Sequence, residues 1–207
     1  MSAPPKTVLQ ATPEEAEAIR QAVRQPDFAM LGLERRRIAT VDDAEDIAEF
    51  FSDPAVSDPI YALPRPFTVE NVRDWIAAIS DQQVLGEGLL VITHNLQGQV
   101  ISYSKYSVWP DLSSAELGGA IRADEQNSGQ GRYGMVASIN WMFEWLGVRL
   151  IGLTAAPDNV RSAALLERAG FRPMGERDGI RPDGTVRRSL YWEMDRDAWR
   201  EKWSGGG

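Results

Sequence analysis

Ala44, Ile47, Ala48 and Phe51 fall on one face of a helix that Thr40-Val41-Asp42-Asp43 opens. Val72, Trp75, Ile76 and Ile79 repeat that spacing in a second helix beginning at Thr68. Between the two, Pro59, Pro64 and Pro66 predict an irregular stretch. The period then shortens. Residues 89–93 and 99–108 read as strands, and the turn His94-Asn95-Leu96-Gln97-Gly98 is short enough to make them an antiparallel hairpin. A third strand over 115–122 follows the loop Trp109-Pro110-Asp111. Residues 133–146 form a helix whose only polar breaks are Ser138, Asn140 and Glu144, so most of its circumference must be covered, and Gly147 closes it. A strand over 149–155, a helix over 159–169 with Gly170 at C′, a strand over 189–194 and a short helix bearing Trp199 and Trp203 complete the pattern.

Upstream, residues 33–39 read as the first strand of this set. Residues 1–29 form an appendage with its own helix start: Thr12 as N-cap, Pro13 at N1 and Glu15 completing a capping box. That helix runs to about Arg24 and covers either the core or an oligomer interface. The order β-α-α-β-β-β-α-β-α-β gives an α/β (α+β) chain: one mixed, mostly antiparallel central sheet with flanking helices. The domain spans 30–204, and Gly205-Gly206-Gly207 is a tail or tag remnant.

Composition narrows the classes. With 207 residues and 43% hydrophobic positions, seven of the residues Trp, one sizeable core can be buried. The absence of cysteine excludes disulfides, thiolate metal sites and cysteine nucleophiles, and a single histidine leaves little for a His-rich metal site or a Ser-His-Asp triad. No metal is expected. The charge of −8 argues against a nucleic-acid partner and suits either an amine substrate or plain solubility. No run approaches a membrane span and Met-Ser-Ala-Pro-Pro-Lys lacks an apolar signal core, so a cytoplasmic protein without a membrane partner is expected, as a monomer or homodimer.

The stretch from Glu116 to Phe171 carries the chemistry and admits two readings. Gly129-Gln130-Gly131-Arg132-Tyr133-Gly134 has the G-x-G-x-x-G spacing of a dinucleotide loop, whereas Gln126-x-x-Gly129-x-Gly131 is the spacing of a pyrophosphate cradle in acyl transferases. A dinucleotide loop needs its first glycine at the end of a strand in a parallel βαβ unit. Here six residues, Ala123 to Ser128, intervene, a hairpin precedes the loop, and the next strand ends Leu153-Thr154-Ala155 without the expected acid. The redox reading is disfavoured. Glycines that merely let a turn enter a helix are the plain alternative.

Four further segments bear on the choice. Leu33-Glu34-Arg35-Arg36-Arg37-Ile38 precedes Val41-Asp42-Asp43-Ala44, and Ala115-Glu116-Leu117-Gly118 precedes Ile121. Gln126-Asn127-Ser128-Gly129-Gln130-Gly131 leads into the apolar helix, and Asn159-Val160-Arg161-Ser162 runs on to Leu165-Leu166-Glu167-Arg168-Ala169-Gly170-Phe171. In this order they resemble the GNAT superfamily of acetyl-CoA-dependent N-acyltransferases, and within it the RimJ/RimL-like group, over about Leu33 to Met194. The chain departs from that pattern at Ala123, where the group has proline, and at Asn127, where a glycine is common.

The resemblance implies a GNAT-like fold and transfer of acetyl from acetyl-CoA directly to a primary amine, on a protein N-terminus or a small molecule. Gln126, Asn127, Ser128, Gly129, Gln130, Gly131 and Arg132 would hold the pyrophosphate, on backbone N–H groups at the positive end of a helix. Arg132 either adds charge there or is a solvated helix arginine. The pantetheine arm would lie between the strands 115–122 and 149–155, which splay apart, against Leu117 and Ile121. Asn159 would hydrogen-bond the arm and cap its helix at once. Glu116 is either the general base for the amine or a structurally paired strand residue. A backbone N–H of strand 117–121 would serve the oxyanion. Many relatives protonate the thiolate with a tyrosine where this chain has Leu166; Ser162 resembles the serine that RimL-like enzymes use instead, or is a packed surface residue. Tyr103, Tyr106 and Trp109 either line the acceptor pocket or belong to the core. The alternative to an enzyme is a non-catalytic CoA-binding or interaction module on the same fold.

Overall fold

The computed structural model describes residues 3–29, 35–60, 62–125, 130–180 and 184–203, with the side chains of Gln130, Arg132 and Ile180 also left aside. The helices are α1 (Pro13–Arg24), α2 (Ala44–Ser52), α3 (Pro54–Ser57), α4 (Val69–Leu85), α5 (Gln130–Glu144), α6 (Val160–Ala169) and α7 (Arg196–Trp203). The strands are β1 (Arg36–Ile38), β2 (Gly88–His94), β3 (Val100–Trp109), β4 (Ser114–Ile121), β5 (Leu150–Ala155), β6 (Arg172–Ile180) and β7 (Val186–Asp195). They form one sheet in the order β1-β2-β3-β4-β5-β7-β6. Every pair is antiparallel except β4 with β5.

Strand β2 shows how the layers divide. Leu89 and Val91 enter one core with Tyr106, Val108, Ile151 and the apolar face of α5; Leu90 and Ile92 enter another with Phe51, Val72 and Ile76 of α2 and α4. A strand stretch covered on both faces must be apolar, and β2 is so over Leu89–Ile92, before it ends in the half-buried Thr93 and His94. The expected hairpin is therefore present, with Tyr103 opposite Ile92 and Tyr106 opposite Leu89.

Helix α1 joins the first core. Its cap is the expected one, with Thr12 Oγ1 accepting the Glu15 N–H at 3.2 Å. Ala16, Ile19 and Val23, spaced for one helical face, are all buried. Burying Ile19 and Val23 contributes roughly 1.5–3 kcal/mol each. Glu15 extends the attachment, taking hydrogen bonds from Ser113 Oγ (2.6 Å) and Arg149 Nε (2.8 Å) at the start of β4 and β5. The segment after α1 covers α5, where Trp141 Nε1 donates to the Asp27 carbonyl at 2.7 Å. This meets the need of an almost wholly apolar helix for neighbours on most sides.

Two expectations need correction. No strand is expected over 172–180, yet β6 pairs with β7 from Val186 to Glu193, and β7 itself begins at Val186 rather than Ser189. Pro173, Gly175 and Gly179 hide β6 in the residue pattern. At a sheet edge, however, proline loses no ladder bond that matters, and Gly175 (φ +80°) sits at the register shift between Pro173 and Glu176. The first strand covers only Arg36–Ile38 of the expected 33–39, of which Leu33 and Glu34 lie outside the described residues.

Candidate active site

Strands β4 and β5 pair over only three positions, Ser114 with Leu150, Ala115 with Ile151 and Glu116 with Gly152. Beyond them β4 runs on to Ile121 and β5 to Ala155 without register partners, so the sheet opens into a fork. The Arg122 N–H donates to the Ile101 carbonyl at 2.8 Å, and antiparallel alternation then directs the amide groups of residues 118 and 120 toward β3. Those of Leu117 and Gly119 face the β5 side, where the last parallel pair, Glu116 with Gly152, takes the Leu117 N–H and leaves Gly119 facing the open part of the fork. Gly119 has to be glycine, since a Cβ there would lie 2.6 Å from the Tyr103 carbonyl oxygen. A cavity of about 280 Å³ fills the fork, bounded by Leu117, Gly119, Ile121, Leu153, Thr154 and Ser162. A wider cleft of about 630 Å³ shares much of that wall and adds Asp158, Asn159, Arg161 and Arg187.

Glu116 stands at the crotch. Residues paired across adjacent strands point to the same face, so Glu116, Gly152 and Glu193 form one row across β4, β5 and β7. Thr154 and Tyr191 lie one step along on the same face, and Lys105 lies there on β3. The Glu116 side chain is 8% exposed. Burial pushes its carboxyl up to about 7, while the charges of Arg177 and Lys105 and a 3.4 Å hydrogen bond from Thr154 Oγ1 oppose the rise. Burial in turn lowers the Lys105 ammonium, an effect that Glu116 opposes. A carboxyl that exchanges its proton near neutrality is poised as a general base.

The third wall of the fork is the start of α6. Asn159 Oδ1 accepts the Ser162 N–H at 3.0 Å, so Asn159 caps α6 with its oxygen, and the residue also lines the wider cleft. Ser162, half-buried, lines both the cavity and the cleft. Leu166, one turn on, is buried in the first core. Of the expected pyrophosphate loop, Gln126, Asn127, Ser128 and Gly129 lie outside the described residues, as do the side chains of Gln130 and Arg132. Residues 130–132 open α5, and Gly131 lies against Ile121, where an added Cβ would sit 3.4 Å from Cδ1.

The aromatic expectation divides. Tyr106 is wholly buried under α5, on the face away from Glu116, and its hydroxyl donates to Ser138 Oγ at 3.2 Å. Trp109 borders a separate cleft with Lys105 and Asp111. Only Tyr103 touches the fork cavity, and its ring packs among Phe50, Phe51 and Trp75. Residue reasoning missed Thr154, Lys105, Arg177, Tyr191 and Glu193, because only sheet register brings them to Glu116. It also missed Arg36 on the cavity wall, whose Nη1 donates to Ser138 Oγ at 3.2 Å while its buried Nε has no partner among the described residues.

The family profile described as "Acetyltransferase (GNAT) domain" matches residues 33–172. The chain belongs to the GNAT acetyltransferase family, and it is an acetyl-CoA-dependent N-acetyltransferase. Among solved structures it is similar to a ribosomal-protein-S5-alanine acetyltransferase from Vibrio fischeri, at 20% identity and TM-score 0.65 over 79% of this chain and 93% of that one. RimJ from Mycobacterium smegmatis, in complex with CoA-disulfide, aligns at 18% identity and TM-score 0.65 over 82% of this chain and 88% of that one. AAC(6')-Ib in complex with ribostamycin and coenzyme A aligns at 22% identity and TM-score 0.64 over 81% and 96%. No curated sequence matches the chain at a significant level. The residues present suit acetyl-CoA as co-substrate: the diverging end of β4, the glycines at 119 and 131 and Asn159 all border one cleft. No helix among the described residues is long and apolar enough to cross a membrane.

Proposed function

We propose that this acetyltransferase moves acetyl from acetyl-CoA directly to a primary amine held beside Glu116, on a peptide N-terminus or a small molecule. The carrying observation is the position of Glu116: nearly buried, at the crotch of the fork, with its carboxyl raised to about 7. An α-amine titrates near 8, so at neutral pH a base of this strength can take the proton that the ammonium must lose before attack. The neutral amine adds to the thioester carbonyl. The oxygen that becomes negative is met by a backbone N–H of the 117–121 strand on the open side of the fork. The C–S bond then breaks as the nitrogen gives up its second proton, which passes through the Ser162 hydroxyl on the cleft wall to the departing thiolate, so that the products are the amide and the free thiol and Ser162 is regenerated. No covalent enzyme intermediate is formed.

In this reading the pantetheine arm lies between β4 and β5 against Leu117 and Ile121 and takes a hydrogen bond from the Asn159 amide. The pyrophosphate rests on the residues leading into α5, Gln126 to Arg132. The reading is tested by thiol release from acetyl-CoA across a panel of N-terminal peptides, polyamines and aminoglycosides. Turnover with at least one amine is expected. Binding of acetyl-CoA without turnover on any of them refutes it.

A further inference from the structure

Residues 3–7 precede both α1 and the family domain, yet they lie on the Glu116 face of the sheet. Thr7 grips the end of the Glu116 row: its N–H donates to Glu193 Oε1 at 3.0 Å and its Oγ1 to Glu193 Oε2 at 2.5 Å. Lys6 Nζ donates to the carbonyls of Met174 and Glu176, both at 2.8 Å, on β6. Arg177 reaches back from β6, donating to the carbonyls of Ala3 (2.9 Å) and Pro4 (2.7 Å) while its guanidinium packs 3.9 Å from the Tyr191 ring centroid. Pro5 is buried beneath this cover, and Tyr191 and Glu193 are each only 1% exposed.

The position matters more than the number of contacts. Glu193 is two strands from Glu116 in one row, a separation of about 10 Å between backbones. Tyr191 Oη bridges that distance: it donates to Glu193 at 3.0 Å and hangs over Gly152, where an added Cβ would collide with it. On this face α2 and α4 already cover β2 and β3. The helices thus cover this face on the β2–β3 side of Glu116, and residues 3–7 cover it on the β6–β7 side. The grip on the segment is mostly on its backbone, which any extended polypeptide would offer equally.

We propose that residues 3–7 are an intramolecular strap that closes the acceptor side of Glu116 and must lift for an amine to reach it. The proposal rests on Glu116 being the acceptor-side base. It predicts a two-state enzyme in which full-length activity is scaled down by the fraction of strap-open molecules.

The test compares the full chain with a variant lacking residues 1–9, which keeps α1, its Thr12 cap and the Arg149 bond to the Gln10 carbonyl. Carboxyl labelling by a water-soluble carbodiimide and glycine ethyl ester, read at Glu116 by mass spectrometry, needs no turnover. The truncated protein should label at Glu116 about fivefold faster or more, and a synthetic peptide of residues 3–10 added in trans should reverse this. The full-length double variant Lys6→Ala/Thr7→Val should move the same way if the truncation fails to fold. For any acceptor found, kcat/KM should rise by a similar factor with the acetyl-CoA Kd unchanged. Unchanged Glu116 labelling in both variants overturns the strap. Faster labelling with no amine acetylated by any form leaves the strap standing and removes Glu116 as acceptor-side base.

Discussion

Glu116 and Glu193 make a controlled comparison within one sheet. They stand in the same register row, on the same face, at 8% and 1% exposure, and their carboxyls move in opposite directions. Burial raises Glu116 to about 7. Burial acts to raise Glu193 as well, but the N–H and hydroxyl of Thr7 and the hydroxyl of Tyr191 hold it below the usual carboxylate range. Glu116 has a single hydrogen bond of 3.4 Å from Thr154 among the contacts that set its titration, with Lys105 and Arg177 acting only through charge. Two buried acids therefore serve different ends. Full hydrogen bonding makes one a structural anion, and sparse hydrogen bonding leaves the other able to exchange a proton near neutrality.

The largest test of this contrast removes the titrating group. Glu116→Gln should lower kcat by about 10²–10³-fold with little change in the acetyl-CoA Kd. Wild-type kcat/KM should rise with pH through about 7, as the carboxylate forms, and the variant should lack that step. An unchanged rate would remove Glu116 as base.

The same substitution should stabilise the fold at high pH. Between Glu116's ordinary value of 4.5 and about 7 the unfolded chain has released this proton and the folded chain still holds it, so folding loses stability as pH rises across that window. Urea denaturation should place Glu116→Gln above wild type by up to about 3 kcal/mol at pH 8, and level with it at pH 4. Equal stability at both values would mean that Glu116 is not desolvated as described.

Thr7→Val acts on the other acid and carries the opposite sign. Glu193 is depressed, so its contribution is present above the unfolded carboxylate pKa near 4.3 and is lost as pH falls through the folded value. The variant should lose about 1–2 kcal/mol near pH 7, with the difference closing in acid. The smallest effect belongs to Thr154→Val, which removes the one weak donor to Glu116. The midpoint of the pH–rate profile should move upward by less than about one unit, and a downward move would contradict the assigned contact.

Much of the fold was readable before any coordinates, wherever a few neighbouring residues decide the outcome. Thr12 and Asn159 as caps, Gly170 as a left-handed helix end and the hairpin around residues 94–98 all depend on local hydrogen bonds or backbone sterics. The Asn159–Phe171 segment and the glycines near 131 located one side of the cleft for the same reason. Strand β6 was not readable. Its partner β7 supplies the ladder, and an edge strand with proline and glycines carries no alternation of its own. Tyr103, Tyr106 and Trp109 could not be sorted from spacing, because which of them meets the fork depends on what packs against each face of β3.

The chain of residues thus determines most of its elements, a glycine-loop motif and the placing of one acidic residue on a central strand, all by short-range rules. What it leaves undecided is the company that residue keeps. Lys105, Thr154, Arg177, Tyr191 and Glu193 come from four other strands and from 11 to 77 positions away, and the strap comes from more than a hundred residues upstream. Only the pairing of seven strands aligns them. The proton affinity of Glu116 is set by desolvation and by charges near in space, and these depend on where the chain has folded, not on what stands beside Glu116 along it.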